Sequence, residues 1–120
     1  LINNTVIRIK KMAVVSNLVI DQGTSFSVII GYDDLSGNPV DLTGYTARSQ
    51  MRKSYYSSNA ITFTANVSSA IDGEITLSMT AAESANVKAG RYLYDVEITS
   101  GNTVIRVVEG IVTVMPEITK

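Results

Sequence analysis

The sequence predicts an all-β protein: an antiparallel β-sandwich of about seven strands carrying one short helix. Short runs of apolar residues alternate with polar ones at period two, which places successive side chains on opposite faces of a strand. Turn residues separate these runs at Ser36-Gly37-Asn38-Pro39, Asp72-Gly73 and Ser100-Gly101-Asn102. A chain of 120 residues without cysteine is long enough to bury one core without disulfide or metal staples.

The first predicted strand covers residues 14–20, and residues 12–20 are apolar on both parities: Val14, Leu18 and Ile20 against Ala13, Val15 and Val19. In residues 25–33, Phe26, Val28, Ile30 and Tyr32 share one face and oppose Ser27 and Gly31. Residues 45–53 alternate less cleanly, with Tyr45, Ala47 and Met51 against Arg48, Gln50 and Arg52. Ile61, Phe63, Ala65 and Val67 line up in residues 60–67, and Ile75, Leu77 and Met79 repeat the pattern after the Asp72-Gly73 pair, which favours tight hairpins because both positions accept positive φ. Residues 91–100 set Tyr92, Tyr94, Val96 and Ile98 against Arg91, Asp95, Glu97 and Thr99. The last strand, residues 104–114, is two-sided like the first, with Val104, Val108, Val112 and Val114 opposing Ile105, Val107 and Ile111.

Between the fifth and sixth strands, Thr80-Ala81-Ala82-Glu83 has the form of a capping box, with Thr80 as N-cap and Glu83 reaching back. The expected helix covers residues 81–87 and ends near Gly90. Tyr92, two residues after Gly90, has the spacing of the tyrosine corner of immunoglobulin-like sandwiches, and Tyr94 falls where antibody domains place an inward Cys. The alternative is a pair of ordinary core aromatics in a hairpin. Either leaves a β-sandwich.

Composition excludes much. Ten Lys and Arg nearly cancel eleven Asp and Glu, without the basic excess expected of a nucleic-acid binder. No run of about 18 apolar residues suggests a membrane helix. Residues 1–11 are too short and polar for a signal peptide. The absence of His removes His-dependent nucleophile systems and the commonest general base, and with Cys also absent no zinc site of His or Cys type can form. No catalytic residue, metal ligand or cofactor is therefore expected; the chain reads as a binding protein, not an enzyme.

Candidate sites are few. Asp33, Asp34 and Asp41 lack the spacing of a calcium loop and are expected to serve a solvated turn. Asp95 and Glu97 share an outward strand face, where no cleft is expected. Arg48 and Arg52, followed by Tyr55 and Tyr56 in a Ser-rich loop, are residue types enriched in protein interfaces and suited to stacking on sugars. The main binding signal is the two-sidedness of the terminal strands, since a strand with one wet face should alternate cleanly. Either a β-bulge near Glu109-Gly110 switches parity, or the second face, with Val15, Val19, Ile105, Val107 and Ile111, is covered by another subunit. Residues 1–11 form an N-terminal arm or extension ahead of a single domain at 12–120. Its β-prone segment either pairs with a neighbour's sheet edge or is a frayed extension upstream of a natural start at Met12-Ala13.

The segments Asp41-Leu42-Thr43-Gly44-Tyr45, Gln50-Met51-Arg52-Lys53, Asp72-Gly73-Glu74-Ile75, Gly90-Arg91-Tyr92-Leu93-Tyr94-Asp95-Val96 and residues 110–116 together resemble a small immunoglobulin-like domain of tailed phages. That family comprises baseplate and fibre-anchoring domains and short virion proteins of marine cyanophages. The resemblance spans residues 13–119 and implies a non-catalytic virion protein assembled in a bacterial cytoplasm. Its implied partners are other virion proteins, or further copies of itself in a homo-oligomer; the alternative is a module recognising host-surface glycans.

Overall fold

A computed structural model describes residues 5–10 and 14–118. Among these residues the strands are β1 (Thr5–Lys10), β2 (Val14–Val15), β3 (Leu18–Asp21), β4 (Phe26–Asp33), β5 (Thr46–Arg52), β6 (Ile61–Ser69), β7 (Glu74–Met79), β8 (Gly90–Ser100) and β9 (Thr103–Met115), with one helix, α1 (Ala81–Ala85), between β7 and β8. The expected first strand is broken in two at Ser16-Asn17. β1, from the segment expected to be an arm or extension, pairs with β4 of its own chain. Met12-Ala13 lies outside the described residues.

The strands form one hydrogen-bonded sheet in the order β1-β4-β7-β6-β5-β8-β9-β2, with β3 also on β9. It is mixed, not wholly antiparallel as expected: β1 runs parallel to β4, and β2 and β3 run parallel to β9. Continuity depends on β6. Ile61, Thr62 and Phe63 pair with β5, and from Thr64 onward the strand pairs with β7. The sheet thereby curls nearly into a barrel around a single core. Ile30, Ile75, Leu77, Val96, Ile98 and Val112, drawn from both halves, are almost completely buried there. Phe26, Phe63 and Tyr94 cross the core as a chain of rings, with centroids 6.0 and 6.4 Å apart. These tilted and edge-on geometries are favourable for aromatic pairs.

The two-sided pattern of β9 has a structural cause. Val96 pairs with Val108 but Glu97 pairs with Arg106, leaving Val107 as an extra residue. This is a β-bulge, three residues before the expected position at Gly110. It reverses the pleat, so Ile105 and Val107 point inward before it, and Val108, Val112 and Val114 point inward after it. The β6–β7 turn also differs from expectation. It is a four-residue loop, Ala70 to Gly73, closed by the Gly73 amide on the Ala70 carbonyl at 3.1 Å. Only Gly73 has positive φ, at 65°, so one left-handed residue suffices where two were expected.

Helix α1 is shorter than predicted but begins as predicted. The Thr80 hydroxyl accepts from the Glu83 amide at 3.1 Å, and the Glu83 carboxylate accepts from the Thr80 amide at 2.8 Å. Ser84 is fully buried; its hydroxyl donates to the Thr24 carbonyl at 2.7 Å and accepts from the Gly23 amide at 3.0 Å. These bonds fasten the helix to the β3–β4 turn.

Candidate interaction surface

Because β5 lies beside β8 and β8 beside β9, the outward residues of three strands fall into rows. Arg48, Glu97 and Arg106 form one, Gln50, Asp95 and Glu109 the next, and Arg52, Leu93 and Ile111 a third. The charges are paired within the chain. Arg48 Nη2 lies 2.8 Å from a Glu97 oxygen and Nε donates to the same oxygen at 2.9 Å. Arg106 Nε lies 3.2 Å from Asp95 Oδ2 and Nη1 lies 3.4 Å from Glu109 Oε2. Burial raises the Asp95 pKa above the ordinary carboxylate value, and the like charges of Glu97 and Glu109 add to the rise while Arg106 opposes it.

These rows floor a groove of about 600 Å³, where no cleft was expected. Thr62 of β6 and Val15 of β2 line its two sides, and Tyr55 of the β5–β6 loop stands at its rim with 77% of its surface exposed. The loop is held by Arg52, whose Nη1 donates to the Ser57 carbonyl at 2.7 Å. The groove therefore gathers Arg48, Arg52, Tyr55, Val15 and Ile111 from the residues singled out in the sequence. Tyr56 is 97% exposed on the same loop but does not line it.

Beside the groove runs an apolar strip on the sheet's margin. Val15 is 70% and Val19 60% exposed, and Ile111 and Met115 are exposed beside them on β9. The register places Val19 opposite Thr113, hence diagonally between Ile111 and Met115. Two residues expected in such a surface are not in it. Val107 is 1% exposed within the core and Ile105 packs against the core, because the bulge turns both inward. Met115 was not anticipated, and neither were Leu93, Arg106 and Glu109 as groove residues. Outward parity marks some of them, but only the strand order and the bulge bring them together.

The margin is built on a close backbone approach. A Cβ on Gly110 would lie 2.2 Å from the Ser16 carbonyl oxygen, so only glycine lets β2 meet β9 there. Tyr94, opposite Gly110 in the register, donates its hydroxyl to that same carbonyl at 2.6 Å. Burial pushes its pKa up to about 12, with the Ser16 side chain acting in the opposite sense. Across the strand break, Asn17 Oδ1 accepts from the Ile111 amide at 3.0 Å.

Tyr92 donates to the Lys88 carbonyl at 2.6 Å, four residues upstream, and the Lys53 ammonium sits 4.3 Å from its ring centroid. Gly90 opens β8 opposite Val114. In the first turn region, Asp34 Oδ1 accepts from the Ser36 and Asn38 amides at 2.9 and 3.0 Å, and Asp41 Oδ1 accepts from the Thr43 hydroxyl and amide. The Thr43 bonds lower the Asp41 pKa, the hydroxyl contributing most. Among the described residues no cluster of three or more acidic side chains is arranged to hold a metal.

No protein-family model matches the chain, and no curated protein matches it. Among solved structures it is similar to the N-terminal domain of phage TP901-1 ORF48, at TM-score 0.62 and 11% identity, over 93% of this chain and 98% of that one. The two share a fold. Two further likenesses are weaker. InlP of Listeria monocytogenes gives TM-score 0.45 at 13% identity, over 85% of this chain and 26% of that one. The cysteine protease inhibitor EhICP2 of Entamoeba histolytica gives 0.43 at 10%, over 94% and 96%.

Proposed function

We propose that the chain is a non-catalytic structural domain of a phage particle, immunoglobulin-like in topology, which attaches to another baseplate or tail-fibre protein through the apolar margin of its sheet. The observation that carries this is the strip of Val15, Ile111, Val19 and Met115. Single exposed hydrophobics are ordinary on a protein surface, whereas a row of them along a terminal strand supports a covered surface. Pairing of β4 with β7, of β5 with β8 and of β8 with β9 supports the immunoglobulin-like reading, as does the Tyr92–Lys88 bond. The fold shared with a phage domain supports the virion setting.

Mass spectrometry of purified phage particles tests the proposal. The chain is expected at a fixed ratio to tail proteins, and Val19→Asp is expected to remove it from the particle while its circular dichroism and melting temperature are retained. Absence of the wild-type chain from particles would overturn the virion role. Full incorporation of the variant would overturn the surface. Self-association through the same strip would give a concentration-dependent dimer in sedimentation, lost on Val19→Asp.

A further inference from the structure

We infer that the groove on the outer face of β5, β8 and β9 is a binding site for an uncharged oligosaccharide. Its volume of about 600 Å³ lies within the range of roughly 300–1,000 Å³ typical of small-ligand sites. The choice of occupant follows from how the charges are arranged. Three arginines and three carboxylates line the groove, and Arg48 and Arg106 are already paired with Glu97, Asp95 and Glu109. A nucleic-acid backbone gains little from a face with no net charge, because its affinity comes from neutralising phosphates.

A protein partner fits poorly for a different reason. Protein interfaces are depleted of charge at their centre and polar at their rim. Here the ion pairs occupy the centre and the apolar groups Val15 and Ile111 stand to one side. Covering the pairs with a protein surface would strip their water without replacing it. Sugar hydroxyls do replace it, since each both donates and accepts. They can donate to Asp95 and Glu97 and accept from Arg48 and Arg52, whose guanidinium carries no ion pair among the contacts described for it. Tyr55 at the rim offers a flat, exposed ring to the C–H face of a pyranose, and Leu93 supplies an apolar part of the floor. Asp95 suits the role because it is partly desolvated and only partly compensated by Arg106, so hydroxyl donors aimed at it relieve a standing deficit.

The test is a glycan array of neutral bacterial-surface oligosaccharides, followed by calorimetry on the hits, with heparin and duplex DNA as charged controls. The full chain is expected to bind neutral glycans with little change between low and high salt. Tyr55→Ala and Asp95→Asn are each expected to weaken binding by about tenfold or more. Tyr56→Ala, outside the groove, and Val19→Asp, on the apolar strip alone, are expected to leave it unchanged. The site is overturned if no neutral glycan binds, if heparin or DNA binds better, or if both groove variants bind like the wild type. Because Val19→Asp separates the two surfaces, loss of sugar binding and loss of particle attachment are read independently.

Discussion

The Tyr94 hydroxyl donates to the Ser16 carbonyl at 2.6 Å, bridging 78 positions of sequence. It ties the middle of β8 to the broken marginal strand by passing over Gly110 of the intervening β9. Tyr94→Phe keeps the ring packing against Phe63 and removes only this bond. The expected cost is about 1–2 kcal/mol, measured by denaturant unfolding, with faster amide exchange at Ser16. In spectrophotometric titration the wild type should retain one of its six tyrosines un-ionised until about pH 12.

Gly110→Ala tests the same junction from the other side. The new methyl must displace the Ser16 carbonyl, and overpacking of this kind costs roughly 1–3 kcal/mol. Since both changes disrupt Ser16, the double variant with Tyr94→Phe should lose less than the sum of the two single losses.

Val107 and Val19 both come from the two apolar runs near the ends of the chain, yet one is interior and the other is not. Val107→Asp is expected to lose more than about 3 kcal/mol, a buried charge without a partner. Val19→Asp should change stability by less than about 0.5 kcal/mol. Thermal unfolding of the two variants side by side checks the assignment.

That contrast also shows where sequence reasoning reached its limit. Alternation and turn residues located the six strands β4 to β9 and the capped helix start, because both signals are local. Whether Val107 points in or out depends on one extra residue in the β8–β9 ladder, and a two-sided apolar run reads the same with a bulge at Val107 or at Gly110. The pairing of β1 with β4 was hidden for another reason, since an edge strand's partner is set by tertiary packing rather than by its own pattern. Arg48, Arg52 and Tyr55 were visible as binding types, but the groove they share with Asp95 and Arg106 exists only through strand order.

The raised pKa of Asp95 fixes the sign of a pH effect. The folded chain holds this proton more tightly than the unfolded one, so ionised Asp95 costs stability at neutral pH, and the cost is relieved as pH falls through its folded pKa toward the ordinary value. Asp95→Asn should therefore be at least as stable as wild type at pH 7. Its advantage should shrink as pH falls from neutrality toward about 4, the ordinary carboxylate value. Melting temperatures across that range decide it.

Thr80→Ala removes the hydroxyl that accepts from the Glu83 amide. The expected loss is about 1 kcal/mol, in chemical denaturation, with the helix from Ala81 frayed and the Ser84 contacts to the β3–β4 turn weakened.

The transfer of β6 from one neighbour to another has a mechanical consequence. A molecule made of two separate sheets can be prised apart along the plane between them, leaving each sheet's backbone ladder whole. Here any such opening must tear β6 off β5 or off β7. Pulling force applied to the domain would then meet main-chain hydrogen bonds as well as side-chain packing. The domain should give way all at once rather than yield by degrees.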